Sequence, residues 1–292
     1  MRIGVIGGSG LYELEGFTER QELRVATPFG APSDAVVRGR LGEAEVLFLA
    51  RHGRGHRLLP TEVPYRANIY ALKQLGAERV VAISAVGSLR EHIAPGHLVF
   101  IDQFIDRTFA RPSTFFGEGC VAHVSFADPT CAALREVLVG AAAELGLAHH
   151  PRGTYLCMEG PQFSTRAESA LYRSWNADVI GMTNLQEAKL AREAELCYQT
   201  VALATDYDCW YEGEQEVSAE AVVQTLRDNI DRARRLLAVA LPRLAARPRT
   251  CGCREALRGA IMTAPEHIPA PTRERLQLLI GRYLEPPAAE PR

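Results

Sequence analysis

Four short stretches of the chain carry side chains suited to chemistry, and each follows an apolar run. Gly7-Gly8-Ser9-Gly10 comes directly after Ile3 to Ile6. Glycines let backbone N–H groups approach an anion closely, and Ser9 adds a hydroxyl donor. This is no dinucleotide fingerprint, because Glu13 stands where a third glycine is needed, and no Gly-Lys-Ser/Thr follows to make a P-loop. Alone it reads equally well as a strand-to-loop turn. Arg51-His52-Gly53-Arg54-Gly55-His56 follows the run Glu45 to Ala50. A guanidinium grips a phosphate through two parallel hydrogen bonds, and a histidine can add a further one. A metal site is disfavoured here, since no carboxylate or cysteine is close by and the arginines would repel a cation. A solvated basic turn is the plainer alternative.

Ser84-Ala85-Val86-Gly87-Ser88 ends a third run, Arg79 to Ser84. Ligands of open α/β sheets collect beyond the carboxyl ends of strands. Three such ends with anion-suited chemistry (Ser9, Arg51 with His52, Ser84) favour one shared phosphate site. Thr183 joins them if it caps a helix, because the N-terminal dipole attracts anions. The fourth stretch, Ala204 to Trp210, holds Asp206 and Asp208. Carboxylates spaced by two lie on one side of an extended segment. One can act as general acid while the other stays ionised. Loop capping by aspartate is the alternative.

These residues need a scaffold. Ile3–Ile6, Glu45–Ala50, Arg79–Ser84, Leu98–Ile101, Thr154–Met158 and Tyr198–Ala204 read as strands, with Glu45–Ala50 and Arg79–Ser84 buried. Pro64 suits the first turn of a helix closing at Gly76. Asp128-Pro129 starts another, with Leu134, Val137, Leu138, Ala141 and Leu145 on one stripe and Gly146 at its end. Thr165 with Glu168, and Thr183 with Gln186, have capping-box spacing. Ser218 is placed to cap a long helix striped by Val222, Leu226, Ile230, Ala233, Leu237 and Leu241. Alternating strands and helices predict one α/β domain over residues 1–246, with a central mixed sheet flanked by helices. After Leu244 the composition shifts, and residues 247–292 form a short helical C-terminal extension that contains Cys251-Gly252-Cys253 and ends in the disorder-prone EPPAAEPR.

The formal net charge is -2 in 292 residues, so no charge excess points to nucleic acid or an anionic membrane surface. No apolar run is long enough to span a bilayer, and glycines interrupt the N-terminal MRIGVIGGSG too early for a signal peptide. A cytoplasmic protein is expected.

The stretches IGVIGGSGLYELEG, LFLARHGRGH, SAVGSLRE, MEGPQFSTRAES, ADVIGMTNLQEAKLAREA and ATDYDCW resemble the trimeric purine nucleoside phosphorylase family, and within it the branch acting on 5′-methylthioadenosine. The resemblance covers residues 1 to about 246. It implies phosphorolysis of a purine nucleoside with inorganic phosphate as co-substrate, no metal or organic cofactor, and a homotrimer or dimer of trimers. By resemblance, Ser9, Arg51, His52, Ser84, Ala85 and Thr183 bind phosphate. Phe163 packs on the base, while Ile180 and Met182 contact ribose and base. Thr205, Asp206 and Asp208 recognise the purine, with Asp206 donating to N7 and accepting from the 6-amino group. Val222 and Val223 line the pocket for the 5′-substituent, and His123 reaches the neighbouring subunit's site. Asp206, Asp208 and Ser84 are the expected catalytic residues. Gly181 stands where these enzymes usually carry Asn, Asn184 where many carry Thr, and Ala219 is smaller than the usual Val. Broader cleavage of adenosine, inosine or methylthioinosine is therefore the alternative.

Cys251 and Cys253 resemble C-x-C pairs of some bacterial and archaeal relatives. Such a pair could close a small strained disulfide, but in a reducing compartment two free thiols are expected. Zinc needs four ligands, and no histidine pair accompanies them in the sequence.

Overall fold

The strands expected to be buried form the middle of an eleven-stranded mixed sheet. The computed structural model describes residues 1–211 and 219–284, with the side chains at 9, 219–223 and 226 outside that description. The expected cap Ser218, the pocket residues Val222 and Val223, Ala219 and Leu226 as side chains, and the EPPAAEPR end therefore lie beyond what is described. The strands are β1 (Arg2–Gly7), β2 (Phe17–Leu23), β3 (Val36–Leu41), β4 (Ala44–Ala50), β5 (Ala77–Ser88), β6 (Leu98–Phe100), β7 (Gln103–Arg107), β8 (His149–His150), β9 (Thr154–Met158), β10 (Val179–Gly181) and β11 (Cys197–Asp206). The helices are α1 (Tyr65–Gln74), α2 (Ala132–Glu144), α3 (Arg166–Ser174), α4 (Asn184–Glu193), α5 (Ala219–Ala246) and α6 (Ala270–Leu284).

Strand order runs β2-β3-β4-β1-β5-β10-β9-β7. At β5 the sheet forks. β11 pairs with it in parallel from Arg79 to Gly87, and β10 pairs antiparallel at Gly87 and Ser88. Because β1, β4, β5 and β11 are parallel neighbours, their carboxyl ends gather at one edge. Side chains alternate between two cores. Ile3, Val5, Val46 and Phe48 face α2 and α5, whereas Ile6, Leu47 and Leu49 face α1, α4 and α6. Burial on both faces explains why these strands read as unbroken apolar runs rather than alternating ones.

Helix ends follow local chemistry. α1 starts after Pro64, and Gly76 (φ +82°) takes the left-handed turn that ends it. The Thr165–Glu168 capping box forms, with Glu168 N donating to Thr165 Oγ1 at 3.2 Å and Thr165 N to Glu168 Oε2 at 2.8 Å. Two expectations fail. α2 begins at Ala132, not at Asp128-Pro129, because Cys131 is still extended and donates its amide to the Tyr198 carbonyl of β11 at 2.9 Å. Thr183 does precede α4, but no capping box forms. Gln186 instead donates to Thr108 Oγ1 at 2.7 Å and accepts from Arg111 at 3.2 Å.

The extension packs against the domain. Leu257, Ile268, Leu276, Leu279 and Ile280 are buried in the same cluster as Ile6, Leu47 and the α4 residues Ala188, Leu190 and Ala191. Burying such side chains contributes about 1.5–3 kcal/mol each. Among the described residues, no helix is long and apolar enough to cross a membrane.

Candidate active site

One cavity of about 460 Å³ opens at the shared strand edge, a volume suited to a small ligand. Arg51, His52, Ser84, Ala85, Phe163, Ile180, Met182, Thr183, Thr205, Asp206 and Asp208 all border it, with Gly8 and Gly10 of the first loop. Thus the three anion-suited strand ends and the aspartate loop, far apart in sequence, meet at one place. Ser9 lies in a single 3-10 turn, Ser9–Tyr12, at this edge. His123 is exposed on another part of the surface and does not line the cavity of its own chain.

Arg51 is buried at the end of β4. Its Nε and Nη2 donate to Glu187 Oε1 and Oε2 at 2.5 and 3.1 Å, and its Nη1 donates to the Ile83 carbonyl at 2.8 Å. A guanidinium has five N–H groups, so two remain for an anion among the described contacts. Burial disfavours the cation, but the Glu187 charge and hydrogen bonds outweigh it and hold Arg51 firmly protonated. Glu187 sits in the first turn of α4 and also accepts from Tyr198 Oη at 2.9 Å and Asn184 Nδ2 at 3.3 Å. Asn184 is thereby part of the cradle that orients Arg51.

His52 Nδ1 donates to the Leu58 carbonyl at 2.8 Å, which leaves Nε2 as the ring's lone-pair atom. Burial, with the neighbouring Arg51 and His56 adding to it, lowers His52 to about 4, so the ring is neutral near pH 7. Thr183 N donates to Tyr155 Oη at 3.4 Å. Gly181 ends β10 against that same hydroxyl, and a Cβ added there would overlap Tyr155 Oη.

At the other end of the cavity, β11 stops at Asp206. Asp208 opens a single 3-10 turn, Asp208–Trp210, at φ +54°. The two aspartates therefore do not share one side of an extended segment, as their spacing suggests. A turn closed by Asp208 N donating to Asp206 Oδ1 at 2.8 Å separates them. Thr205 Oγ1 donates to Asp206 Oδ2 at 2.7 Å, and Ser169 Oγ to Asp208 Oδ2 at 2.6 Å. Burial and the charge of Asp206 raise the Asp208 carboxyl, although the Ser169 bond opposes them. Gly87 of β5 pairs with both Asp206 and Ile180, and a side chain there would stand 3.1 Å from Asp206 Oδ1.

Phe163 stands at the rim, 84% exposed. Trp210 is structural, with Nε1 donating to the Ser88 carbonyl at 2.8 Å and Arg173 stacked on its ring at 3.6 Å. Sequence reasoning missed Glu187 and Arg111. Arg111 is buried, pairs with Glu159 at 3.1 Å and donates to the Met182 carbonyl. That bond occupies one lone pair of the Met182 carbonyl, and Met182 borders the cavity. The only signal for Glu187 was its position in the first turn of α4, and Arg111 had none.

The family profile described as "Phosphorylase superfamily" matches residues 2–242. S-methyl-5′-thioadenosine phosphorylase of Geobacter sulfurreducens is 59% identical over 283 residues, 97% of this chain and 99% of that protein. The protein of the same name from Koribacter versatilis is 57% identical over 96% of both. Among solved structures, a methylthioadenosine phosphorylase sourced from an antarctic soil metagenomic library matches with TM-score 0.91 and 50% identity, over 95% of this chain and 98% of that one. Methylthioadenosine phosphorylase from Schistosoma mansoni in complex with adenine matches with TM-score 0.83 and 36% identity, over 89% and 96%. The Geobacter and Koribacter alignments, which leave at most 4% of this chain unmatched, reach past the end of the family profile into the C-terminal extension.

Proposed function

The chain belongs to the phosphorylase superfamily, and from that premise we propose that it is a pentosyltransferase cleaving 5′-methylthioadenosine with inorganic phosphate to adenine and 5-methylthioribose 1-phosphate. The observation that carries this reading is a single cavity bordered by the Arg51–His52–Thr183 group and by Asp206 and Asp208. High identity to proteins bearing the phosphorylase name, over nearly their full length, supports the choice of nucleoside.

In this reading Arg51, Ser9, Ser84, Ala85 and Thr183 hold phosphate beneath the sugar, and His52, which has no N–H left to donate, accepts through Nε2 from a protonated phosphate oxygen. Two N–H groups of Arg51 and the N-terminus of α4 meet its charge. A phosphate oxygen bonds to C1′ as the bond from C1′ to the purine nitrogen breaks, and the transition state is ribosyl-cation-like. An anion placed under C1′ stabilises it, and positioning two substrates supplies much of the rate. The departing adenine takes a proton at N7. Both oxygens of Asp206 already accept hydrogen bonds. Asp206 therefore accepts from the 6-amino group, and Asp208, whose affinity for a proton is raised by burial although Ser169 donates to it, is assigned as the donor to N7. Phe163 covers the base, while Ile180 and Met182 contact ribose and base. Val222 and Val223 receive the methylthio group. Phosphate is the sole co-substrate and no cofactor takes part in the step. The enzyme works in the cytoplasm as a homotrimer, in which His123 reaches the neighbour's site.

Cleavage of adenosine and 6-oxo nucleosides is the second reading, favoured by the bare backbone at Gly181. The test is phosphate-dependent release of free base from methylthioadenosine, adenosine, inosine and methylthioinosine. The expected order puts methylthioadenosine first by kcat/KM. Intact methylthioadenosine in the presence of ample phosphate would overturn the proposal.

A further inference from the structure

Four of the seven cysteines form a group that the proposed reaction leaves unused. Cys131 precedes α2, Cys197 is the first residue of β11, and Cys251 and Cys253 flank the start of a 3-10 turn, Gly252–Glu255, in the extension. Their four sulfurs all lie within 4.8 Å of one another. Three of the four residues are buried, and Cys251 is half-buried. The partners that Cys251 and Cys253 lack locally thus come from two other elements, and they are cysteines rather than histidines.

We propose that Cys131, Cys197, Cys251 and Cys253 are the four ligands of a structural site for a zinc-class divalent cation. A tetrahedral tetrathiolate with metal–sulfur bonds of about 2.3 Å needs sulfurs about 3.8 Å apart, within the spread seen here. Cys197 Sγ and Cys251 Sγ are 3.3 Å apart, and small adjustments bring the set to that spacing. Sulfur-only ligation selects soft or borderline cations over magnesium or calcium. Binding converts four thiols to thiolates and releases four protons, which leaves the site with two negative charges. Two features meet that charge. Arg249 Nε donates to Cys197 Sγ at 3.2 Å, and Cys131 sits at the positive end of α2. A cavity of about 150 Å³ lined by Cys131, Cys197, Cys251 and Arg249 gives the ion a route in. β11 carries Cys197 at its start and Asp206 at its end, roughly 30 Å apart at strand rise. The ion therefore staples the extension to the sheet and takes no part in the reaction.

The full chain, expressed with zinc and purified without chelator, is expected to hold about one zinc per chain by elemental analysis. After unfolding with chelator and without reductant, all seven cysteines should titrate as thiols. Cobalt(II) loading should give the charge-transfer and d–d absorption of tetrahedral thiolate coordination. That spectrum should be lost in Cys253→Ser and kept in Cys120→Ser. Three titratable thiols and no metal would mean that the four are paired as disulfides, and the proposal fails. Seven thiols with no bound zinc and no tetrahedral cobalt spectrum would also overturn it. If Cys253→Ser does not fold, the wild-type thiol count and cobalt spectrum decide alone.

Discussion

Glu187 holds Arg51 through two hydrogen bonds at 2.5 and 3.1 Å, with both side chains buried. The first turn of α4 thereby sets the direction in which the remaining N–H groups of a strand-end arginine point. Glu187→Gln is expected to keep the shape but lose the charge that compensates Arg51. Breaking a buried pair costs about 3–5 kcal/mol. The variant should melt several degrees lower, and in steady-state assays KM for phosphate should rise at least tenfold with a smaller change in KM for the nucleoside.

The turn between Asp206 and Asp208 divides their roles. Asp206→Asn puts an amide where the 6-amino group needs an acceptor, so kcat/KM for adenine nucleosides should fall about 100-fold or more, while 6-oxo nucleosides lose less. Asp208→Asn removes the proton source. It should lower kcat about 100- to 10,000-fold with little change in KM. Equal and full activity of both variants on methylthioadenosine would reject the division.

Gly181 and Tyr155 are coupled by contact, since an added Cβ meets the Tyr155 hydroxyl that also receives the Thr183 amide. Gly181→Asn alone is expected to destabilise the protein and weaken phosphate use. Adding Tyr155→Phe removes the clashing oxygen and should recover part of the loss. A double-mutant cycle on melting temperature and kcat/KM is expected to give a coupling of about 1–3 kcal/mol.

Glu193, at the end of α4, accepts from Thr114 Oγ1 and Phe115 N, both at 2.7 Å, yet burial raises it from 4.5 to about 7. The folded state then binds a proton more tightly than the unfolded chain. Its stabilising share is complete below about pH 4.5 and is lost as pH rises through about 7. The span is at most about 3 kcal/mol. Glu193→Gln should flatten the decline between those pH values in denaturant midpoints, because the amide accepts from Phe115 and donates to Thr114 without titrating.

The long elements were legible because buried parallel strands read as unbroken apolar runs and α2 carries a clean stripe. β2, β3, β7, β8 and β10 were not legible. FTERQEL buries chiefly Phe17 and Leu23, and β8 and β10 are too short to show a period. The cavity residues were legible where glycine, arginine or aspartate closes an apolar run. Glu187 and Arg111 were not, because each acts by holding another residue across the fold, at a separation local pattern cannot register. The four-cysteine group was hidden for the same reason. Its members are brought together by α2, β11 and the extension, while the sequence displays only Cys251 and Cys253 as a pair.

The packing of α6 has a consequence for the order in which the protein matures. Its Leu276, Leu279 and Ile280 share one buried cluster with Ala188 and Ala191 of α4, the helix whose first turn carries the carboxylate that aims Arg51. A nascent chain halted at Ala246 still lacks those side chains, so the cluster that backs α4 is completed only when α6 has left the ribosome. C-terminal truncation would thus uncover a core that α4 shares with β1, β4 and α1, far along the sequence from the damage.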